Sequence, residues 1–176
     1  MGKTSTPLSQ ENISRLRAGD NVFLSGTVYT ARDQAHKRLV AAIKEGKKLP
    51  FTLENQVIFY CGPTPAPKGK VIGSCGPTTS SRMDRFTPAL LKKGLKGMIG
   101  KGSCSREVVQ GIKKHKAVYF LAPAGAGAYL SKCVEKAELM AYADLGPEAI
   151  YRLEVKDFPL IVGIDSRGRN IYDKRK

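Results

Sequence analysis

The chain has no tryptophan, two histidines, and four cysteines that never occur in close pairs. Cys61, Cys75, Cys104 and Cys133 are too widely separated for the paired thiolates of a zinc site or the framework of a disulfide-dense secreted scaffold. They are expected to be reduced thiols. Iron–sulfur ligands usually include a closely spaced set, so no metal site is expected on this chain alone. His36 falls within a predicted helix and reads as structural, and His115 lies in the basic run Lys113-Lys114-His115-Lys116 at a helix end. Neither suits histidine acid–base chemistry. No stretch approaches the roughly 20 apolar residues of a membrane span. The start, Met1-Gly2-Lys3-Thr4-Ser5-Thr6-Pro7, lacks an apolar signal core, which predicts a soluble, cytoplasmic protein.

Acidic residues are scarce as well. Thirty Lys and Arg face 15 Asp and Glu, a formal net charge of +15 that asks for an anionic partner. Nucleic acid, a complementary subunit and an anionic small substrate all qualify. The basic residues are scattered, at Lys47-Lys48, Lys68-Lys70, Lys92-Lys93, Lys113-Lys114 and Lys174-Arg175-Lys176. A nucleic-acid-binding module needs a continuous basic face, often with stacking aromatics. With 7% aromatic residues and no binding motif, that reading ranks last.

A chain of 176 residues, 41% hydrophobic and 26% charged, suits one globular core. Residues 1–20 read as an N-terminal lead-in segment and 21–176 as a single α/β domain. Val22, Phe23, Leu24, Thr27, Val28 and Tyr29 predict a first strand from Asn21 to Thr30, interrupted at Gly26. Ala35, Leu39, Ala42 and Ile43 then follow helical spacing, starting near Arg32-Asp33 and stopping at Gly46. Strands are predicted at Val57–Tyr60 and Lys70–Gly73, joined by a loop whose prolines exclude regular structure. Helix at Arg82–Lys93, strand at Gly97–Ile99, helix at Ser105–His115 and strand at Ala117–Leu121 give an α/β alternation. A further helix is predicted at Ala126–Lys136, and strands at Glu138–Ala143 and Leu160–Ile164. The small-residue run Pro123–Gly127 lacks the ending of a phosphate loop and carries no assigned chemistry.

Chemistry concentrates in Gly76-Pro77-Thr78-Thr79-Ser80-Ser81-Arg82-Met83-Asp84, a strand-to-helix corner rich in hydroxyls and free backbone donors. Such a corner suits a carboxylate, with an arginine one turn along as a clamp. Taken alone, these hydroxyls are ordinary helix caps. Two further strand ends, Thr30-Ala31-Arg32-Asp33-Gln34-Ala35-His36 and Gly100-Lys101-Gly102-Ser103, supply more cations. Ligands of open α/β folds gather where strand ends meet helix starts, so Arg32, Arg82 and Lys101 can surround one anion.

These strings, followed by Leu145-Gly146-Pro147-Glu148-Ala149-Ile150, occur in the order found in class I, iron–sulfur fumarases. From about Gly19 through Asp165 the sequence resembles the β subunit, or C-terminal domain, of that family, which includes the β subunit of tartrate dehydratase. The resemblance implies a swivelling β/β/α domain docked on a separate, cluster-bearing α subunit in a hetero-oligomer. It implies reversible hydration of fumarate to (S)-malate, or the related dehydration of L-tartrate. A 4Fe–4S cluster held by three cysteines of the α subunit would be the Lewis acid, with none bound by this chain, which would be inactive when isolated. By motif position, Thr78 is the candidate base for the proton on malate C3, and Thr79, Arg32, Arg82 and Lys101 are the substrate-carboxylate ligands. Those cations either favour the threonine alkoxide or act only on substrate and transition state.

Overall fold

Four parallel strands and one long antiparallel strand close on themselves around an apolar centre. The computed structural model describes residues 2–173, so the basic tail Lys174-Arg175-Lys176 lies outside the described residues. The order is β1 (Gly2–Ser5), α1 (Gln10–Arg15), β2 (Asn21–Thr30), α2 (Asp33–Lys44), β3 (Val57–Phe59), α3 (Thr87–Lys92) and β4 (Gly97–Gly100). Then follow α4 (Arg106–His115), β5 (Val118–Leu121), α5 (Gly127–Leu130), β6 (Val134–Ala141) and β7 (Ile150–Ile164). Strands β2, β3, β4 and β5 pair in parallel, and β7 pairs antiparallel with both β5 and β2. This double pairing turns a sheet into a small barrel, with β1 added beside β2 and β6 beside β7. The architecture is mixed α/β.

Strand alternation sorts the side chains into two apolar layers. Val22, Leu24 and Val28 of β2, Val57 and Phe59 of β3, Ile99 of β4 and Val118 and Phe120 of β5 fill the inside. The residues between them, Tyr29, Ile58, Met98 and Tyr119, face outward and are covered by Leu39 of α2, Leu90 of α3 and Ile112 of α4. Leu8, Ile13 and Leu16 enter the interior cluster, so residues 2–20 supply a strand, a helix and core side chains where the sequence suggested only a lead-in.

Several sequence expectations need correction. Strand β2 runs through Gly26, and the predicted interruption is a register shift against β7 between Leu24 and Gly26. Lys70–Gly73 forms no strand: Thr64 N donates to Ser74 O at 3.0 Å, and Gly73 is pressed onto the Thr64 and Pro65 carbonyls. The predicted helix at Arg82–Lys93 is a 3-10 turn at Ser80–Met83 followed by α3. The helix expected over Ala126–Lys136 stops at Leu130, and a 3-10 turn over Ser131–Cys133 leads into β6. Strand β7 begins at Ile150, where only Leu160–Ile164 was expected; buried Leu153 and Val155 alternate with less buried Arg152, Glu154 and Lys156. Helix α4 is capped by Ser105, whose hydroxyl accepts from Val108 N.

Candidate active site

Because β2 to β5 are parallel, their carboxyl ends share one end of the barrel. Arg32 follows β2, Cys61 and Gly62 follow β3, and Lys101 follows β4. The hydroxyl-rich segment lies between the ends of β3 and β4. Thr78 N donates to Tyr60 O at 2.6 Å, Lys101 N donates to Thr78 O at 3.3 Å, and Ser80 N donates to Lys101 O at 2.9 Å. Thr79 and Lys101 thereby form a parallel bridge beyond the named strands. Thr78 and Lys101 are partly buried, Thr79 and Arg82 exposed. The backbones of Thr78, Thr79 and Lys101 are thus fixed against one another at the barrel end.

The arginines join from the other side. Arg32 sits at the start of α2 without capping it. Glu148 caps instead, accepting from Gln34 N at 3.0 Å and lying 3.7 Å from the Arg32 guanidinium. The sequence string around Glu148 therefore has a mechanical role, which the sequence alone did not reveal. Gly62 makes the approach possible: a Cβ there would stand 2.9 Å from Pro147 O and 3.0 Å from Arg32 Cδ. Arg32 Nε is buried without a hydrogen-bond partner among the described residues. Arg82 reaches Asp33, with Nε donating to Oδ1 at 3.2 Å. Its Nη2 is 2.9 Å from Oδ2, but Oδ2 accepts no hydrogen bond, so the close pair is ionic contact rather than a two-bond fork. The Asp33–Arg82 pair links the β2 corner to the hydroxyl segment.

Behind these groups the side chains are buried. His36 Nδ1–H donates to Arg32 O at 2.8 Å, and the ring packs against the Tyr60 and Phe86 rings. Burial lowers its pKa to about 4, so it is neutral at physiological pH and props the Arg32 backbone. Cys61 and Cys75 are fully buried and interact with each other: the hydrogen bond between the thiols raises Cys61 and lowers Cys75. Burial pushes Cys104 up to about 12. All four cysteines are free thiols, and among the described residues no three His, Cys, Asp or Glu side chains are grouped to hold a metal ion. Among the described residues the donor set does not fit a cluster site. No described helix is long and apolar enough to cross a membrane.

Sequence reasoning named Arg32, Thr78, Thr79, Arg82 and Lys101 and overlooked their supports. Asp33 and Glu148 stood inside the quoted strings, each a carboxylate near a proposed anion-binding arginine, and that proximity was the available signal. Tyr119, set in the apolar run Val118-Tyr119-Phe120-Leu121, carried another, since a buried phenol needs a hydrogen-bond partner.

Comparison with known proteins gives the family. The L(+)-tartrate dehydratase subunit beta of Escherichia coli K12 is 36% identical over 98% of this chain and 87% of its own length. Fumarate hydratase 2 of Leishmania major is 34% identical over 94% of this chain, which spans 29% of that protein. The aerobic class I fumarate hydratase of Salmonella typhimurium is 33% identical over 96% of this chain, which spans 30% of it. The model for the fumarase C-terminus matches residues 3–175, and the chain belongs to that family.

Proposed function

We propose that this chain is the β-type subunit of an iron–sulfur-dependent hydro-lyase that hydrates fumarate reversibly to (S)-malate. The observation that supports it is the stitching of Thr78 and Thr79 to Lys101 at the barrel mouth, with the Asp33-bound Arg82 and Arg32 alongside. The same segment is about a third of the fumarate hydratases it resembles and nearly all of a tartrate dehydratase β subunit. The remaining machinery, with the 4Fe–4S cluster, is therefore assigned to a separate α subunit in a cytoplasmic hetero-oligomer. The barrel, with the strand, helix and core side chains of residues 2–20 built into it, acts as one swivelling unit that closes on this partner.

Thr78 takes the proton from malate C3, and Thr79, Arg32, Arg82 and Lys101 hold the two carboxylates. A threonine hydroxyl is a weak base in water, and nearby cations lower the cost of its alkoxide. The same cations stabilise the carbanion as its charge spreads into the adjacent carboxylate. Glu148 and Asp33 pair with the two guanidinium groups, and a dicarboxylate takes over part of that role on binding.

Thr78→Ala in the assembled complex tests this directly. The cluster spectrum stays intact and kcat/KM falls by about 10²-fold or more, the usual contribution of a positioned proton acceptor. Unchanged kcat/KM removes Thr78 from the mechanism. A second reading, L-tartrate dehydration, is favoured by the full-length match to a tartrate dehydratase β subunit. Steady-state assays with fumarate, malate and both tartrate enantiomers decide between the two. The chain purified alone is expected to be colourless and without hydratase activity.

A further inference from the structure

Strand β5 is buried along its whole length, yet it carries a phenol. The Tyr119 hydroxyl donates to Gly102 O at 2.8 Å. Having one proton, it accepts from Ser80 Oγ, also 2.8 Å away. Both side chains are fully buried. Burial raises the Tyr119 hydroxyl well above the usual phenol range, so it remains a donor at any working pH. Ser80 is tied by its own N–H to Lys101 O, and Lys101 N–H to Thr78 O. The lysine loop is therefore gripped at Lys101 by the threonine segment and at Gly102 by the phenol. Gly100 leaves the room: a Cβ there would collide with Ser80 Oγ and stand 2.9 Å from the Tyr60 ring. Buried hydroxyls that satisfy one another fix a single arrangement, which an apolar pair of the same size would not.

We propose that Tyr119 and Ser80 are positioning residues whose hydroxyl pair sets Lys101 against Thr78, aligning the carboxylate ligand with the proton acceptor. This rests on the roles given above to Thr78 and Lys101. A second buried hydroxyl pair supplies the control: Thr87 Oγ1 lies 3.2 Å from the Tyr60 hydroxyl and donates to Met83 O at 3.0 Å, with no bond from either hydroxyl to the lysine loop.

The experiment compares Tyr119→Phe, Ser80→Ala, their double variant and Thr87→Val in the assembled complex, by steady-state kinetics and thermal unfolding. Tyr119→Phe is expected to lower kcat at least about tenfold with KM within about threefold, the mark of lost alignment rather than lost binding. Ser80→Ala shares that loss, and the double variant loses little more, because the two hydroxyls act as one unit. Thr87→Val lowers Tm comparably and leaves kcat within about twofold. Equal effects of Tyr119→Phe and Thr87→Val on kcat overturn the proposal, as does a rise in KM alone. Should Tyr119→Phe fail to assemble, Ser80→Ala is judged by the same criteria. Thr78→Ala in the same series separates the two failures: if it retains turnover, the site reading falls, and if it alone abolishes turnover, only the positioning role falls.

Discussion

Two of the crossovers that leave the carboxyl end of the barrel are built on opposite plans. Between β4 and β5 the chain forms α4, with a serine cap, Val108 and Ile112 turned inward and lysines outside. Between β3 and β4 it first forms an irregular proline-rich loop and the Thr78–Ser80 segment, whose polar groups are satisfied one contact at a time. The regular crossover repeats one hydrogen bond and buries one stripe; the irregular one uses Gly62, Gly73 and Gly100 to bring backbone and side chains unusually close. Packing resides mainly in the first and chemistry in the second.

The strongest challenge to that division is Ile112→Ala, in the fully buried stripe of α4. It should cost about 2–5 kcal/mol of stability in urea titrations while leaving kcat/KM of the surviving complex nearly unchanged. A parallel collapse of turnover would mean that the two crossovers are not separable. His36, on α2, packs against the irregular crossover through Tyr60 and Phe86. Its folded pKa is lowered to about 4 from an ordinary 6.5, so the unfolded chain binds the proton more readily. Its contribution is complete above pH 6.5 and is lost as pH falls toward 4, up to about 3 kcal/mol. Urea titrations at pH 7.5, 6 and 5 read this slope, and a flat profile would show that His36 is not sealed from water. Arg82→Ala probes the irregular side: its half-exposed side chain should leave Tm within a degree or two, while kcat/KM drops about a hundredfold. Ser105→Ala is the mildest, costing about 1 kcal/mol through the lost cap with no kinetic effect.

The same contrast explains what the sequence revealed. Helix α4 and strands β4 and β5 were legible because period, cap and breaker agreed at Ser105, Val108, Ile112 and Leu121. Helix α2 was legible from Ala35 and Leu39. Strand β6 was read as strand from Glu138 onward, but its start, Val134–Lys136, was read as the end of a helix, because exposed Glu135 and Lys136 carry no strand signal of their own and only pairing with β7 extends the strand back to Val134. Barrel closure is invisible in any local window, since β7 meets β2 from the far end of the chain. At the site, the residues proposed to bind the carboxylates were readable as motif strings. Asp33, Glu148, Ser80 and Tyr119 were not, because their roles depend on which backbone approaches them.

That late closure has a consequence for biosynthesis. Strand β2 emerges from the ribosome long before β7, yet the two share the longest pairing register in the barrel. Until Ile150–Ile164 has been made, the nascent chain carries unpaired strand edges and an open apolar interior. Non-local pairing of this kind folds slowly and leaves intermediates prone to aggregation. Ribosome-bound chains arrested before Ile150 should therefore be protease-sensitive throughout, and protection should arise in one step once β7 is free of the exit tunnel.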